Sequence, residues 1–138
     1  MNEIISNTCI KVAFCDLDPM NVVWHGNYLR YLELARSELF EKINYSYEQM
    51  RKDNIAYPIA KMDLKYISSA KLHDELSVKC ILQEIEPALI IKYEITNSKS
   101  KQKLFSATSM QICVNVKTNE TLYKAPDKLF SIFQEGSK

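Results

Sequence analysis

Glycine is nearly missing from this sequence: Gly26 and Gly136 are the only two in 138 residues. So few glycines leave little freedom for left-handed backbone, which points to long regular elements joined by few tight turns. Histidine is equally scarce, and His25 and His73 are not spaced as a metal site. Cysteine is present but unpatterned. Cys9, Cys15, Cys80 and Cys113 follow no zinc or redox spacing and read as reduced thiols that pack as small hydrophobes. An excess of one charge is also lacking. The 18 Lys and Arg against 17 Asp and Glu give a net charge of +1, so there is no basic field for nucleic acid and no acidic tail. No apolar run approaches the roughly 18 residues that span a bilayer. The opening MNEIISNTCIKV has an early acid and no unbroken apolar core, so no signal peptide and no integral membrane segment are expected. The expected compartment is the cytoplasm.

What is present fits one globular domain over 1–138, at 46% hydrophobic and 25% charged residues. Residues 8–15 alternate, with Ile10, Val12 and Phe14 on one face, and predict a strand that Cys15 ends. The stretch from Asp16 to Asn27 is rich in turn formers: Pro19, Asn21, Gly26 and Asn27. Tyr28, Leu32, Ala35, Leu39 and Ile43 then recur at helical spacing, so a helix is expected from Asn27 to Ile43 with Asn27 as its N-cap. Tyr31 and Leu34 widen its apolar surface, as in a helix enclosed on more than one side. A short helix at Tyr47–Lys52 and strands at 55–68, 76–85, 89–96 and 103–116 follow. In the last of these Leu104, Met110, Ile112, Val114 and Val116 share a face. Pro58 marks an edge or bulge, Glu86-Pro87-Ala88 a hairpin turn, and Pro126 the start of a C-terminal helix. One strand, one long helix and four strands make an α+β domain: a five-stranded antiparallel sheet around one helix. An outer sheet face that stays apolar would call for a second subunit.

The informative stretch is FCDLDPMNVVWHGNYLRYLELARSE, from Phe14 to Glu38. Asp16, Asp18, Val22, Val23, Trp24, His25, Asn27 and Tyr28 match the run D-x-D-x-x-G-V-V-[YW]-[HY]-x-N-Y. Glu33, Ala35, Arg36 and Glu38 continue it as E-x-A-R-x-E. On these residues the chain resembles the hot-dog acyl-CoA thioesterases of the 4-hydroxybenzoyl-CoA type, most closely their Tol-Pal-associated branch. Lys61-Met62, Tyr66 to Ala70, Asp74, Leu76 and Val78 extend the likeness over nearly the whole chain. Two departures stand out. Asn21 replaces the usual glycine, and Asn tolerates positive φ better than most residues. The hairpin at Glu84–Ala88 is acidic where relatives with aromatic substrates carry basic residues for the nucleotide phosphates. Lys61, Lys65, Lys71 and Lys92 are the possible substitutes. The carrier therefore stays open between CoA and acyl carrier protein.

The resemblance implies hydrolysis of an acyl thioester by water, with no metal or redox cofactor, in a homodimer or homotetramer whose pocket forms between subunits. It assigns catalysis to Asp18, as nucleophile or general base, and the oxyanion donor to the backbone N–H of His25, whose side chain is an accessory. Val23, Trp24, Gly26, Asn27 and Tyr28 are the expected substrate-binding positions. The chemistry is consistent with the place: amides that open a helix lack partners and carry its positive end, where an oxyanion is stabilised. Other readings compete. Asp18 alone could be a turn-capping carboxylate. Asp16 reads as structural support. Glu33, whose counterpart on the helix is the nucleophile in another hot-dog branch, reads instead as a buried hydrogen bond or a subunit-contact ion pair with an arginine, Cys15 as strand-end packing, and His73 as solvated. An acyl-binding module without turnover, a dehydratase and an envelope-complex partner are the alternative functions. The dehydratase would need a paired His and acid on the helix, and none is found.

Overall fold

A computed structural model describes residues 3–136. Strand β1 (Ile4–Lys11) passes through a 3-10 turn at Phe14–Asp16 and a loop into α1 (Asn27–Lys42), then α2 (Tyr47–Lys52). There follow β2 (Ile55–Ala56), β3 (Ile59–Tyr66), β4 (Glu75–Glu84), β5 (Leu89–Asn97), β6 (Lys103–Gln111), β7 (Cys113–Asn115), β8 (Glu120–Leu122) and α3 (Asp127–Gly136). Five strands form an antiparallel sheet in the order β1-β4-β5-β6-β3. The expected α+β arrangement is therefore present. A small second sheet, β2-β7-β8, was not expected from the sequence. It arises because the long strand read over 103–116 breaks at Ile112, whose N–H donates to Pro58 O at 3.1 Å.

The sheet register separates two faces. Leu64, Ala107, Tyr93, Cys80 and Ser6 lie in one row, and Tyr66, Phe105, Ile95, Val78 and Thr8 in the next. This is the face that receives α1. Tyr31, Leu32, Ala35 and Leu39 of the helix are at most 1% exposed, and fully burying such a large apolar side chain is worth about 1.5–3 kcal/mol. Leu34 stays half-exposed, so one flank of the helix is open.

Three expectations change. First, the apolar face of the strand over 103–116 has the opposite parity. Leu104 is buried as expected, but beyond it Phe105, Ala107, Ser109 and Gln111 point inward. Each polar one bonds there through one group, with Gln111 Oε1 left without a partner among the described residues. Ser109 Oγ pairs with Tyr93 OH at 2.8 Å, and Gln111 Nε2 donates to Tyr57 O at 2.7 Å. Second, the outer face is largely polar, with Asp63, Thr108 and Lys92 running into Ile81 and Ile5 in one row and Lys65, Ser106, Glu94 and Lys79 in the next. An apolar outer face thus gives no reason for a second subunit. Third, β1 ends at Lys11, where its pairing with β4 ends at Glu75. Phe14 lies beyond it, 78% exposed, and Cys15 is exposed rather than packed.

The scarcity of glycine has a different consequence from the one the sequence suggested. Tight turns exist, and asparagine makes them. The left-handed positions among the described residues are Asn21, Asn44, Asn54, His73, Lys101 and Asn119. Asparagine tolerates that region because its short polar side chain bonds locally.

Burial divides the cysteines. Cys80 is wholly enclosed, and desolvation pushes its thiol up to about 12; burial also raises Cys113. Cys9 and Cys15 are exposed. A disulfide reagent at pH 8 should therefore react rapidly with Cys9 and Cys15 in the native protein, and with Cys80 and Cys113 only after denaturation. Fast reaction of Cys80 would contradict this packing.

Candidate active site

The loop between β1 and α1 is held by one buried carboxylate. Asp16 is 4% exposed. Its Oδ2 accepts from Ala13 N–H at 3.0 Å and Tyr31 OH at 2.9 Å, and its Oδ1 pairs with the Arg30 guanidinium. Its backbone carbonyl accepts from Trp24 N–H at 2.9 Å and from Asn27 Nδ2 at 2.8 Å. One residue therefore ties the end of β1, both sides of the loop and the first turn of α1. Tyr31 remains a protonated donor: burial, then the bond to Asp16, raises its pKa well above the ordinary tyrosine value. The expected supporting role of Asp16 matches this geometry.

Within that frame the chain makes two successive tight turns. Leu17 bridges Val23, and Asp18 N–H donates to Val22 O at 2.9 Å. Asn21 N–H closes the first turn onto Asp18 O at 2.9 Å, with Asn21 at φ 63°. Asparagine thus takes up the conformation that glycine would. The Asp18 side chain is half-buried, and its Oδ1 accepts from Met20 N–H at 2.8 Å. Val22 bridges Lys71, and Val23 N–H donates to Ala70 O at 2.9 Å, so the far side of the hairpin leads directly into the second turn.

That second turn, Trp24–Asn27, is closed by Asn27 N–H on Trp24 O at 2.9 Å and opens α1. Gly26, not Asn27, is the N-cap residue. The Asn27 side chain is turned back to the Asp16 carbonyl and cannot cap. No side-chain oxygen caps the helix, and its first turn holds no acid. The bonds that build the turn use the amides of Trp24 and Asn27; those of His25 and Gly26 are not spent on it. Gly26 leaves room for the exposed Trp24 ring in its present position. A Cβ there would lie 2.3 Å from the Trp24 ring.

Trp24 and His25 are exposed, their rings 5.0 Å apart. Val23 and Tyr28 are buried and shape the site from beneath. Tyr28 stacks on Phe105, its ring centroid 5.1 Å away, and its hydroxyl accepts from Ala70 N–H at 3.0 Å. Burial raises the Tyr28 pKa; the Ala70 amide opposes this, and the Tyr66 and Asp18 charges add to it. Tyr66, for which sequence reasoning found no role, donates to His25 O at 3.0 Å.

The other candidates separate from this cluster. Glu33 is exposed, not buried, and pairs with Arg36 one helical turn on. Arg36 itself is buried and also bonds Tyr47 OH at 3.0 Å and Tyr93 OH at 3.2 Å. Cys15 Sγ lies 4.0 Å from Asp16 Oδ1. His73 is exposed at φ 68°. Among the four lysines, Lys71 is bridged to the loop, whereas Lys61, Lys65 and Lys92 stand on the outer face. In the acidic hairpin, the Glu86 carboxylate accepts from Ala125 N–H at 2.8 Å.

One helix in the curve of a five-stranded antiparallel sheet, its uncapped start met by a carboxylate hairpin, defines a hot-dog fold of the thioesterase class. The sequence confirms the class: the model of the thioesterase-like superfamily matches residues 12–132, and the chain belongs to that superfamily. The long-chain acyl-CoA thioesterase FadM of Escherichia coli is 30% identical over 116 residues, 83% of this chain and 87% of that protein. The acyl-CoA thioester hydrolase YbgC of Escherichia coli is 25% identical over 116 residues, 83% and 86% of the two chains. Among solved structures, the DHNA-CoA thioesterase of Staphylococcus aureus superposes with a TM-score of 0.83 at 27% identity, over 96% of this chain and 88% of that one. No helix among the described residues is long and apolar enough to cross a membrane.

Asp16→Ala removes the acceptor for the Ala13 amide and the Tyr31 hydroxyl and leaves the Arg30 charge without its partner. Orphaning such groups costs about 3 kcal/mol. Urea unfolding should show a loss of this size, and a change under about 0.5 kcal/mol would contradict the role given to Asp16.

Proposed function

We propose that this protein hydrolyses an acyl thioester carried on CoA or on an acyl carrier protein. The carbonyl oxygen is held by the His25 N–H at the start of α1, and Asp18 acts as nucleophile or general base. The observation that carries this reading is the uncapped helix start. Such amides normally find a Ser, Thr, Asp or Asn side chain, and here the nearest carboxylate hairpin stops short of capping them. An oxyanion supplies the missing acceptor. A single donor of this kind is worth about 10²–10³ in rate. In one route an Asp18 oxygen bonds the acyl carbon, the C–S bond breaks, the thiolate takes a proton, and water hydrolyses the resulting anhydride. In the other, Asp18 removes a proton from water as that water attacks. Both release the same acid and thiol.

The names of the relatives favour CoA as the carrier, and Lys71 is the lysine placed to meet phosphate beside the loop. The acidic hairpin speaks against 4-hydroxybenzoyl-CoA. Assignment to the Tol-Pal-associated branch rests on the block from Asp16 to Tyr28. The near-neutral charge and unpatterned thiols fit a cytoplasmic protein.

A second copy of the chain completes the site in this reading. Strand β3 has a neighbour on one side only, at the edge of the sheet. Its helix-facing side leaves Leu64 and Tyr66 exposed, with Ile67 just beyond the strand. An unpaired edge with apolar side chains is a ready pairing surface. Sedimentation should show a dimer or tetramer, and Leu64→Lys should shift it toward monomer. A monomeric parent would remove the second subunit from the site.

Thiol release measured across short, medium, long and aromatic acyl-CoAs identifies the substrate class. On any substrate the parent turns over, Asp18→Asn should lower kcat at least about 10³-fold with the melting temperature unchanged. Retained activity in that variant removes Asp18 from the chemistry. Saturable acyl-CoA binding by the parent without thiol release would instead make the protein a non-hydrolytic binding module.

A further inference from the structure

The turn that opens α1 has a conformational ambiguity built into its sequence. Trp24–Asn27 is a four-residue turn with Gly26 at its third position. Glycine at that place admits either of two turns that share the same closing hydrogen bond. In one its φ is negative; in the other the peptide ahead of it is rotated by about 180° and its φ is positive. Any residue with a Cβ would be biased toward the first. In that solution a Cβ on Gly26 would meet the Trp24 ring at 2.3 Å, so the exposed ring would have to move. With the ring where it stands glycine fits, and glycine leaves the His25–Gly26 peptide free to turn over. The closing bond from Asn27 N–H to Trp24 O holds the preceding peptide and does not choose between the two states.

Gly26 stands at φ −69°, ψ −23°, the negative-φ state. One side chain from a distant element selects it. Tyr66, the last residue of the edge strand β3, donates its hydroxyl to His25 O at 3.0 Å. A trans peptide points its C=O and N–H in opposite directions, so a held carbonyl fixes the next amide. Tyr66 is itself fixed. Its ring packs edge-on to Phe105 at 5.0 Å and to Tyr28 at 5.6 Å.

We propose that Tyr66 is a positioning residue for the oxyanion site: by holding the His25 carbonyl it locks the His25–Gly26 peptide, so that the Gly26 N–H stands as a second donor beside the His25 N–H. This deepens the proposed hydrolase mechanism and rests on it. In the flipped state the His25 carbonyl would replace the Gly26 N–H, presenting a negative dipole to a developing anion. Tyr66 is 48% exposed, and a single hydrogen bond of this kind contributes only modestly to net stability. Loss of the hydroxyl therefore affects orientation far more than stability.

The test is Tyr66→Phe in the full chain, read in two independent ways. Selective ¹⁵N-glycine labelling gives signals from only Gly26 and Gly136. A carbonyl that accepts a hydrogen bond deshields the following amide nitrogen, so the Gly26 signal should move upfield in the variant. The Gly136 signal should stay, reporting an intact fold. On the substrate found by thiol release, kcat should fall about tenfold while KM stays within about twofold, the split expected for a group that acts only in the transition state. An unmoved Gly26 signal, or an unchanged kcat, overturns the proposal. If the parent turns over and Asp18→Asn is inactive but Tyr66→Phe matches the parent, only the lock fails. If Asp18→Asn stays active, the role given to Asp18 fails, and if the parent releases no thiol the hydrolase reading fails, while in both cases the Gly26 signal still reports on the lock.

Discussion

The buried Asp16 carboxylate is the constraint on which the rest of the site depends. Its two oxygens satisfy the Ala13 amide, the Tyr31 hydroxyl and the Arg30 guanidinium, while its carbonyl takes up Trp24 N–H and the Asn27 side chain. A carboxylate this enclosed is tolerable only because it is paired and fully hydrogen-bonded. Since four of these partners lie on α1 or in the turn that opens it, the loop cannot shift without unsatisfying a buried charge. Asp18 therefore sits on a rigid hairpin, not on a mobile loop, and its position relative to the helix start is set from within the core.

The same geometry separates support from chemistry. Asn27 has the side chain that would ordinarily cap a helix, yet it bonds the Asp16 carbonyl. The helix start is left without a side-chain cap, and its amides keep the positive potential of a helix N-terminus. Tyr28 and Val23 fill the space beneath, while Trp24 and His25 are exposed and Asp18 is half-buried. A site of this kind depends on what local propensity would normally supply and here does not.

Much of this was legible in the sequence. The 3.6-residue recurrence of Tyr28, Leu32, Ala35 and Leu39 located α1, and α2 was found at its observed bounds. Asn21 was recognised as able to replace glycine, and it does stand at positive φ. The motif block brought Asp18 and the helix start together, but it did not show what Tyr66 does. That contact spans 41 residues and exists only because β3 pairs with β6 at the sheet edge. The inward parity of β6 was misread for a related reason. Ser109 and Gln111 look like outward residues until the Ser109 hydroxyl is seen to pair with Tyr93 OH and the Gln111 amide to donate to Tyr57 O. Cys15 and Phe14 were placed in a strand because alternation continued past Lys11. The strand in fact ends where β4 offers no further partner. Local periodicity reports which side chains could be buried, and the tertiary partners decide which of them are.

The central claim is that the opening turn of α1 polarises a thioester carbonyl beside Asp18. Isotope-edited infrared spectroscopy of a ¹³C=O acyl-CoA bound to the inactive Asp18→Asn variant observes that polarisation directly. The account predicts a carbonyl stretch at clearly lower frequency than the same thioester shows in water. A bound carbonyl at or above its frequency in water would contradict it.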